Sequence, residues 1–216
     1  MQLVFEQIRA GGDRNLGYLL ADRDARQGVL IDPSFSPDAF VQRALDQNIA
    51  ITHVVNTHSH PDHVNGNEQA MARTGAPLVA HSDAPTPPGI AVTDGQEIAV
   101  GSLVLKFFHV PGHCHDHVVV YEPAHAILIT GDLLFVGKVG GTRSDQDART
   151  EWGSLQRVKA LPDGTTVWPG HDYGVRPSST IALEKASNPF LRCADVDAFL
   201  ALKRDWATVK QRYGLK

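Results

Sequence analysis

Cysteine is scarce in this chain, which has only Cys114 and Cys193 among its 216 residues. Two cysteines cannot build the disulfide framework of a small secreted domain, and neither lies in a Cys-x-x-Cys pair of the kind that holds structural zinc. The sequence also lacks a Gly-x-Ser-x-Gly segment, the strand-to-helix turn that presents a serine nucleophile. We therefore expect a protein of a reducing compartment whose chemistry does not depend on a serine or cysteine nucleophile.

Long apolar runs and an excess of positive charge are absent as well. The 20 Lys and Arg residues and the 24 Asp and Glu residues give a formal charge of −4, and no basic stripe is present that could follow a phosphate backbone. Residues 1–9 lack a basic stretch followed by a long apolar segment, and no stretch approaches the length of a membrane span. These absences predict a cytoplasmic protein with no nucleic-acid partner and no membrane partner.

The pattern of apolar residues predicts a mixed α/β chain. At 42% hydrophobic, the sequence can bury the core of one domain, which we predict to cover residues 1–216. Apolar runs bounded by polar turns predict strands at 3–8, 16–21, 29–32, 51–56, 78–80, 96–100, 103–110, 118–121, 126–130 and 165–168. Helical spacing of apolar residues predicts helices at 37–49, 64–72, 150–161, 179–186 and about 194–213. This mixture indicates two sheets with helices outside, or another layered α/β arrangement.

The densest chemistry lies directly after the predicted strand at 51–56. There the chain places three imidazoles and one carboxylate within six consecutive residues, namely His58, His60, Asp62 and His63. Side chains two apart in an extended segment point the same way, so His58 and His60 can converge on one ion. Pro61 ends the strand and turns Asp62 and His63 elsewhere, which favours a second ion nearby.

Three further segments end an apolar strand with a glycine and a ligand-type side chain. They are Pro111-Gly112-His113, Thr130-Gly131-Asp132 and Pro169-Gly170-His171. A glycine beside each ligand lets the backbone pass close to an ion, where a side chain would block it. Each segment alone also suits a turn with an exposed side chain, but together with the histidine cluster they indicate a metal site. The remaining histidines fall outside this pattern: His53, His81, His109, His115, His117 and His125.

Taken together, these motifs resemble the metallo-β-lactamase superfamily. The pattern is His-x-His-x-Asp-His, then Pro-Gly-His, then Thr-Gly-Asp, then Pro-Gly-His-Asp-Tyr, and the resemblance runs from about residue 4 to residue 191. Within the superfamily, the sequence is most similar to the branch that contains glyoxalase II (hydroxyacylglutathione hydrolase) and the persulfide dioxygenases. The resemblance implies a four-layer αββα sandwich with metals at one edge, between the sheets.

The resemblance also implies how the ligands divide between two divalent ions, with zinc as the first choice and iron or manganese as alternatives. The first ion would be held by His58, His60 and His113. The second would be held by Asp62, His63 and His171, and Asp132 would bridge both. A water between two such ions loses a proton near neutral pH, and the bridging hydroxide can attack a carbonyl carbon. We assign Asp62 and Asp132 to catalysis and expect a small thioester, ester or lactone as the substrate.

A second hypothesis uses the same residues around a single ion. Two histidines and one carboxylate with open positions form the Fe(II) site that activates oxygen. The resemblance to persulfide dioxygenases implies that His58, His113 and Asp132 could supply this triad. Residues 179–184 and 188–191 are also similar to the dioxygenase branch. The sequence therefore leaves open whether the chain is a hydrolase or a dioxygenase acting on glutathione persulfide.

The substrate-binding residues are less clearly marked. In both related families a Lys or Arg that meets the glutathione carboxylate follows the Gly-Asp motif, but here Gly141 stands where that base is expected. Lys138 and Arg143 are the candidate replacements, and the alternative is that both are solvated loop charges. Tyr173 resembles the family tyrosine near the substrate, or is a packed loop aromatic. The Pro-rich connector at 84–89 is predicted to be an exposed loop that borders the site.

Other function classes have less support from these residues. A β-lactamase lacks specific support because a fold does not imply a function, and a nuclease is disfavoured by the charge. An inactive binding module would be favoured by missing ligands, and none is missing. A redox protein acting with a flavin partner remains a further alternative. The expected partner is a small-molecule substrate, and Trp206 and Tyr213 on the last helix leave a homodimer open.

Overall fold

The computed structural model describes residues 2–210, and twelve of their strands form two six-stranded sheets. The first sheet contains, in spatial order, β1 (Leu3–Gly11), β2 (Asn15–Asp22), β3 (Gln27–Ile31), β4 (Ala50–Val55), β5 (Leu78–His81) and β6 (Ile90–Val92). The second contains β14 (Ser179–Thr180), β13 (Thr166–Pro169), β10 (Ile127–Gly131), β9 (Val118–Glu122), β8 (Leu103–His109) and β7 (Glu97–Val100). A short hairpin is formed by β11 (Leu134–Phe135) and β12 (Lys138–Val139).

Each sheet combines antiparallel and parallel pairs. In the first sheet β1, β2 and β3 are antiparallel, whereas β3, β4, β5 and β6 run parallel to one another. In the second sheet only β10 and β13 are parallel neighbours. The parallel pairs require crossover connections, and helices supply several of them.

The helices are α1 (Pro37–Asp46), α2 (Pro61–Val64), α3 (Asn67–Thr74), α4 (Asp145–Lys159), α5 (Ile181–Ser187) and α6 (Val196–Val209). Side chains cap three of the N-termini. The Ser144 side chain accepts a hydrogen bond from the backbone amide of Asp147 at the start of α4. In the same way, the Thr180 side chain accepts one from the Leu183 amide in α5, and the Asp195 side chain accepts one from the Ala198 amide in α6. Such caps satisfy amides that the first helical turn leaves without partners.

Four layers follow from how the apolar side chains pack. One cluster joins the facing surfaces of the two sheets and includes Leu20, Ile31, Leu105 and Ile129. The outer face of the first sheet packs on α1 and α3 through clusters that include Phe40, Val41 and Ala70. The outer face of the second sheet packs on α4, α5 and α6 through a cluster that includes Leu155, Ile181 and Phe199. The molecule is therefore an αββα sandwich, as the family resemblance implies.

The two sheets meet at one edge, where β4, β10 and β13 end. Leu16 N donates to Gly170 O across this edge, and Val118 N donates to Thr57 O, each at 2.8 Å. The segments that follow these three strands and β8 carry the predicted ligands. Strand ends at one edge of a layered α/β fold are a common place for a site, because turns there bring distant residues together.

Several element boundaries differ from those predicted. Helix α4 begins at Asp145 rather than Thr150, because Ser144 caps a polar first turn that shows no apolar periodicity. The helix predicted at 64–72 is divided between α2 and α3, and Gly66 between them lies so close to the Ser34 backbone that a side chain would collide with it. Strands β6, β11, β12 and β14 have two or three residues and are too short to show alternation.

The last predicted helix begins at Val196, close to the expected start. The ring of Trp206 packs 4.6 Å from that of Phe190, between centroids, so it contacts its own chain. The predicted end of the helix and Tyr213 lie outside the described residues. Among residues 2–210, no helix is both long enough and apolar enough to cross a membrane.

Candidate metal centre

The seven predicted ligands lie together at the edge where the sheets meet. Three combinations of them place their donor atoms within 4.8 Å of one another. These are His58 with His60 and His113, Asp62 with His63 and His171, and His58 with His63 and Asp132. The first two combinations are the two ligand sets that the sequence predicts, although their roles as ligands remain a prediction.

The first set has the spacing of ligands around one ion. His58 Nε2 lies 3.0 Å from His60 Nδ1, and His113 Nε2 lies 3.0 Å from the same atom. Two ligand atoms about 2.1 Å from one ion at a tetrahedral angle are about 3.4 Å apart. All three nitrogens can therefore face a common centre.

The second set has similar spacing around a carboxylate. Asp62 Oδ2 lies 3.4 Å from His171 Nε2 and 3.7 Å from His63 Nε2. Asn15 Nδ2 donates to this oxygen at 2.9 Å, which fixes the orientation of the carboxylate. Asp62 and His63 lie on the single turn of α2, which Pro61 begins. Both residues lie before the helix predicted at 64–72, but proline at the first helical position favours an earlier helix start.

Asp132 lies between the two sets. Its Oδ2 is 3.5 Å from His113 Nε2 and 3.3 Å from His171 Nε2, while its Oδ1 is 3.4 Å from His63 Nε2. Gly170 leaves the room for this carboxylate, because a Cβ atom there would collide with Oδ1. One carboxylate that reaches ligands of both sets is suited to bridging two ions.

Three of the histidines are oriented by hydrogen bonds at their other ring nitrogen. His113 Nδ1 donates to Gly141 O at 2.7 Å, and His171 Nδ1 donates to Asp13 O at 2.8 Å. His63 Nδ1 donates to Asp32 Oδ2 at 2.9 Å. Each partner places the proton on Nδ1 and leaves the Nε2 lone pair free for a metal. Gly141 thus contributes its carbonyl to this site, at the position where the related families have a base.

Asp32 supports the candidate metal centre, and the sequence motifs do not indicate it. Its buried carboxylate accepts hydrogen bonds from the Thr57 amide at 2.9 Å and the Thr57 hydroxyl at 2.6 Å, in addition to the one from His63. The same Thr57 hydroxyl lies 3.1 Å from His58 Nδ1. A single aspartate after β3 offered no spacing pattern that could have identified it.

His117 is the second missed residue. It is fully buried, stacks on His58 with ring centroids 4.8 Å apart, and accepts a hydrogen bond from the Asp132 amide at 3.1 Å. It therefore supports one ligand of the first set and fixes the backbone of the bridging residue. Its position four residues after His113 was the only sign of this role.

The pKa values of the predicted ligand histidines differ between the two sets. Although burial opposes it, the Asp132 carboxylate raises the pKa of His63 and of His171, so each of these two must lose a proton to bind a metal. Burial lowers the pKa of His58, His60 and His113, which favours the neutral imidazole that binds metal. Although burial opposes it, the neighbouring His63 and His171 hold the pKa of Asp132 well below its usual range. His63 Nε2 and Asp132 Oδ1 are buried without a hydrogen-bond partner and face each other. Buried polar atoms are rarely left without a partner, so these atoms fit a metal site.

Two of the three predicted substrate residues, Tyr173 and Lys138, lie beside the second ligand set. The ring of Tyr173 stacks on that of His171, with centroids 4.7 Å apart, and its hydroxyl donates to Asp13 Oδ2 at 2.6 Å. Lys138 Nζ lies 3.7 Å from the centroid of the Tyr173 ring. Arg143 is exposed on the loop before α4. Tyr173 is thus packed and hydrogen-bonded, while both cations remain near the centre.

A cavity of about 410 Å³ lies between this loop and α6. Four basic side chains line it: Lys138, Arg143, Lys203 and Arg204. Lys203 pairs with the buried Glu151 and donates to Gly140 O at 2.9 Å, so α6 is tied to the loop that orients His113. We refer to this cavity of about 410 Å³ as the basic cavity.

Comparisons with known proteins agree with this geometry. Residues 11–86 and 80–171 match the model of the family described as the metallo-beta-lactamase superfamily. The chain is 35% identical to a hydroxyacylglutathione hydrolase of Maricaulis maris, with 94% of this chain and 93% of that protein covered. It is 34% identical to the hydroxyacylglutathione hydrolase of Rhodospirillum rubrum, with 94% of this chain and 80% of that protein covered. The crystal structure of ETHE1 from Myxococcus xanthus superposes on this chain with a TM-score of 0.87 and is 33% identical to it. The superposition covers 94% of this chain and 91% of that one.

Proposed function

Because the chain belongs to the metallo-beta-lactamase superfamily, we propose that it is a metal-dependent hydrolase that cleaves a small thioester, ester or lactone in the manner of glyoxalase II. The observation that carries this proposal is the presence of all seven ligand-type side chains, in two sets, in a chain that matches hydroxyacylglutathione hydrolases over 94% of its length. We further propose that two ions bind, with zinc preferred and iron or manganese as alternatives.

When bound, such ions supply Lewis acidity and a water acidic enough to lose its proton near neutral pH. The protein fixes the geometry in which that chemistry occurs. Asp132 reaches ligands of both sets and would hold the two metal positions at a fixed separation. Asp62, oriented by Asn15, would present a charged oxygen to the same space. We therefore assign the five histidines, Asp62 and Asp132 to metal binding, and we assign Asp62 and Asp132 to catalysis as well.

The surroundings of the centre favour a substrate with an anionic portion. The basic cavity places Lys138 and Arg143 beside the loop that orients His113. Burial lowers the pKa of Lys138, and Asp132 opposes that shift. A carboxylate of a glutathione thioester could pair with either cation, while Tyr173 would border the path to the ligands. A small-molecule substrate of this kind is the proposed partner, and a homodimer and a cytoplasmic location remain predictions.

A second candidate function is a mononuclear Fe(II) persulfide dioxygenase. The similarity to ETHE1 supports it. Donor atoms of His58 and His113 lie within 4.8 Å of each other, as do those of His58 and Asp132, and His113 Nε2 is 3.5 Å from Asp132 Oδ2. The curated relatives support the hydrolase more directly, so we retain the dioxygenase as the alternative.

Metal analysis and two activity assays distinguish the candidates. The protein would be purified without added metal and its zinc, iron and manganese measured per chain. Thiol release from lactoylglutathione and oxygen uptake with glutathione persulfide would then be followed. We expect about two ions per chain and thiol release. One iron per chain with oxygen uptake and no thiol release would overturn the hydrolase in favour of the dioxygenase.

Asp132→Ala tests the bridging role within the same assays. We expect it to abolish turnover and lower the metal content while leaving the fold largely intact, because the side chain lies at the edge of a packed scaffold. Asp163→Ala is a matched control, since Asp163 is an exposed carboxylate that pairs with Lys185. Normal turnover and metal content in Asp132→Ala would contradict the bridging role.

A further inference from the structure

A single short turn lies against the second ligand set. It joins β1 to β2 and comprises residues 11–15, and we refer to it as the β1–β2 turn. Its Asp13 carbonyl accepts the hydrogen bond from His171 Nδ1 at 2.8 Å. Its Asn15 side chain donates to Asp62 Oδ2 at 2.9 Å and to Asp62 O at 3.1 Å. Two of the three ligands of this set are therefore oriented by one turn.

The Asp13 side chain ties this turn to the segment that carries His171. Asp13 Oδ2 accepts a hydrogen bond from the Tyr173 hydroxyl at 2.6 Å, and the Tyr173 ring stacks on that of His171, with centroids 4.7 Å apart. The Asp172 amide adds a hydrogen bond to Arg14 O at 3.0 Å. His171 is thus held between the carbonyl of Asp13 and a ring that the carboxylate of Asp13 keeps in place.

The backbone of the β1–β2 turn has a conformation that favours glycine. Gly12 has a φ of 53° and Arg14 has a φ of 60°, both in the left-handed region. A Cβ atom at Gly12 would also collide with the Phe35 ring and with Asn15 Oδ1. Asn15 is itself buried, so its side chain is confined by these neighbours. The position of the Asn15 amide beside Asp62 therefore depends on the shape of the turn.

The ligands of the first set have their partners elsewhere. His58 Nδ1 lies 3.1 Å from the Thr57 hydroxyl, and His113 Nδ1 donates to Gly141 O at 2.7 Å. Neither partner belongs to the β1–β2 turn. A change in the turn would therefore act on the second set and leave the orientation of the first set intact.

We infer that Asp13 and Asn15 are positioning residues for the second metal position, so that the β1–β2 turn determines whether the centre holds one ion or two. The inference rests on the proposed dinuclear hydrolase and adds the segment that makes it dinuclear. Removing a partner of a metal ligand typically lowers metal affinity about 10-fold to 100-fold. The loss should fall on one ion only, because both contacts of the turn go to ligands of the same set.

Variants of the turn test this inference in the full chain. Metal-free protein would be titrated with zinc against a chromophoric chelator, and the zinc retained after dialysis would be measured per chain. Asn15→Ala should weaken the binding of one zinc ion about 10-fold to 100-fold and leave the affinity for the other within about twofold. Asp13→Ala should act in the same direction, and Asp13→Asn, which keeps an acceptor for the Tyr173 hydroxyl, should retain most of the wild-type affinity. Asp163→Ala is the matched control at an exposed carboxylate.

Two ligand variants show which ion the turn affects. His171→Ala removes a ligand of the second set, so adding Asn15→Ala to it should leave the affinity for the remaining zinc ion unchanged. His60→Ala removes a ligand of the first set, and adding Asn15→Ala to it should weaken the remaining ion about 10-fold to 100-fold. Equal effects of Asn15→Ala in both backgrounds would contradict the assignment.

Circular dichroism would verify that each variant is folded. Because Asp13 is exposed, Asp13→Ala preserves the test if Asn15→Ala, at a buried residue, fails to fold. Equal weakening of both ions in a folded variant would indicate a general structural role and overturn the inference. Wild-type affinities for both ions in Asp13→Ala and Asn15→Ala would overturn it as well. A wild-type chain that binds only one ion would instead remove the dinuclear hydrolase on which the inference rests.

Discussion

At the scale of single residues, the candidate metal centre depends on partners outside the ligand set. Asp32, Gly141 and Asp13 each accept a hydrogen bond from the Nδ1 of a different histidine. None of these partners belongs to a contiguous motif, and two of them act through backbone oxygens. The orientation of the rings is therefore a property of the folded chain, which local sequence spacing does not reveal.

Asp32→Asn should weaken metal binding without unfolding the protein. The amide would keep a similar shape but lose the charge that holds the proton on His63 Nδ1. We expect metal affinity to fall about 10-fold to 100-fold, as is typical when a partner of a metal-binding histidine is removed. Competition with a chromophoric chelator measures this, with Asp38→Asn as a control at an exposed carboxylate. Equal metal affinities in Asp32→Asn and Asp38→Asn would contradict the role of Asp32 in metal binding.

Lys138→Met should raise the Michaelis constant for an anionic thioester more than Arg143→Ala does. Lys138 is half-buried against Tyr173, whereas Arg143 is exposed and its charge is screened by solvent. Initial rates with glutathione thioesters at low and high salt would provide the comparison. Lys185→Met, on α5, is the control for loss of a lysine. An unchanged Michaelis constant in both Lys138→Met and Arg143→Ala would mean that these two cations are solvated charges with no part in substrate binding.

At the scale of elements, α6 affects the centre through a buried ion pair. Glu151 of α4 is fully buried, and its only charged partner among the described residues is Lys203 of α6. Burial raises the pKa of the Glu151 carboxyl, and the Lys203 ammonium opposes that shift. Lys203 also donates to Gly140 O, next to the residue that orients His113. The last helix is therefore part of the support of the site.

Lys203→Met should destabilise the protein by about 3–5 kcal/mol, because it leaves the buried Glu151 carboxyl without its partner. Urea denaturation followed by circular dichroism would measure the loss. The double variant with Glu151→Leu should recover most of the lost stability, since replacing both charges by apolar groups is often nearly neutral. Equal stability of the single and double variants would contradict this explanation.

The sequence predicts these elements unevenly, for physical reasons. Strands such as β2 and β9 have long apolar runs, and α1 has clear helical spacing after Pro37, so their positions follow from periodicity. The start of α4 and the four shortest strands depend on a cap or on tertiary pairing, which periodicity does not record. The seven ligand positions were recognisable because they lie in compact motifs. Asp32 and His117 could not be recognised from the sequence, because each is a single residue that the fold brings to the candidate metal centre.

At the scale of the whole molecule, a second contact joins the sheets far from the metal centre. Asp22, at the end of β2, accepts hydrogen bonds from the Ser102 amide at 2.9 Å and the Ser102 hydroxyl at 2.5 Å, in the turn between β7 and β8. Strand β2 begins at Asn15, beside Asp62, and ends here. The sandwich is thus held at one end by this contact and at the other by the metal-binding segments.

Asp22 should make stability sensitive to acid. Hydrogen bonds from Ser102 are the main reason that the pKa of Asp22 falls from 3.8 to about 2. A lowered folded-state pKa contributes stability that is fully present above the unfolded value and is lost as the pH falls through about 2. Urea midpoints measured between about pH 5 and about pH 2 should therefore decline more steeply in the wild type than in Asp22→Asn. Parallel declines would exclude this contribution.

The seven predicted ligands are divided between the two sheets, and this predicts how metal supply affects the lifetime of the protein in a cell. His58 to His63 follow a strand of the first sheet, whereas His113, Asp132 and His171 follow strands of the second. An ion held by ligands of both sheets would crosslink the two sheets and stabilise the folded state by mass action. A chain deprived of metal would open more often at this edge and expose residues 57–63 to proteases. Its abundance would then follow the supply of metal, so that metal starvation would remove the protein itself as well as its activity.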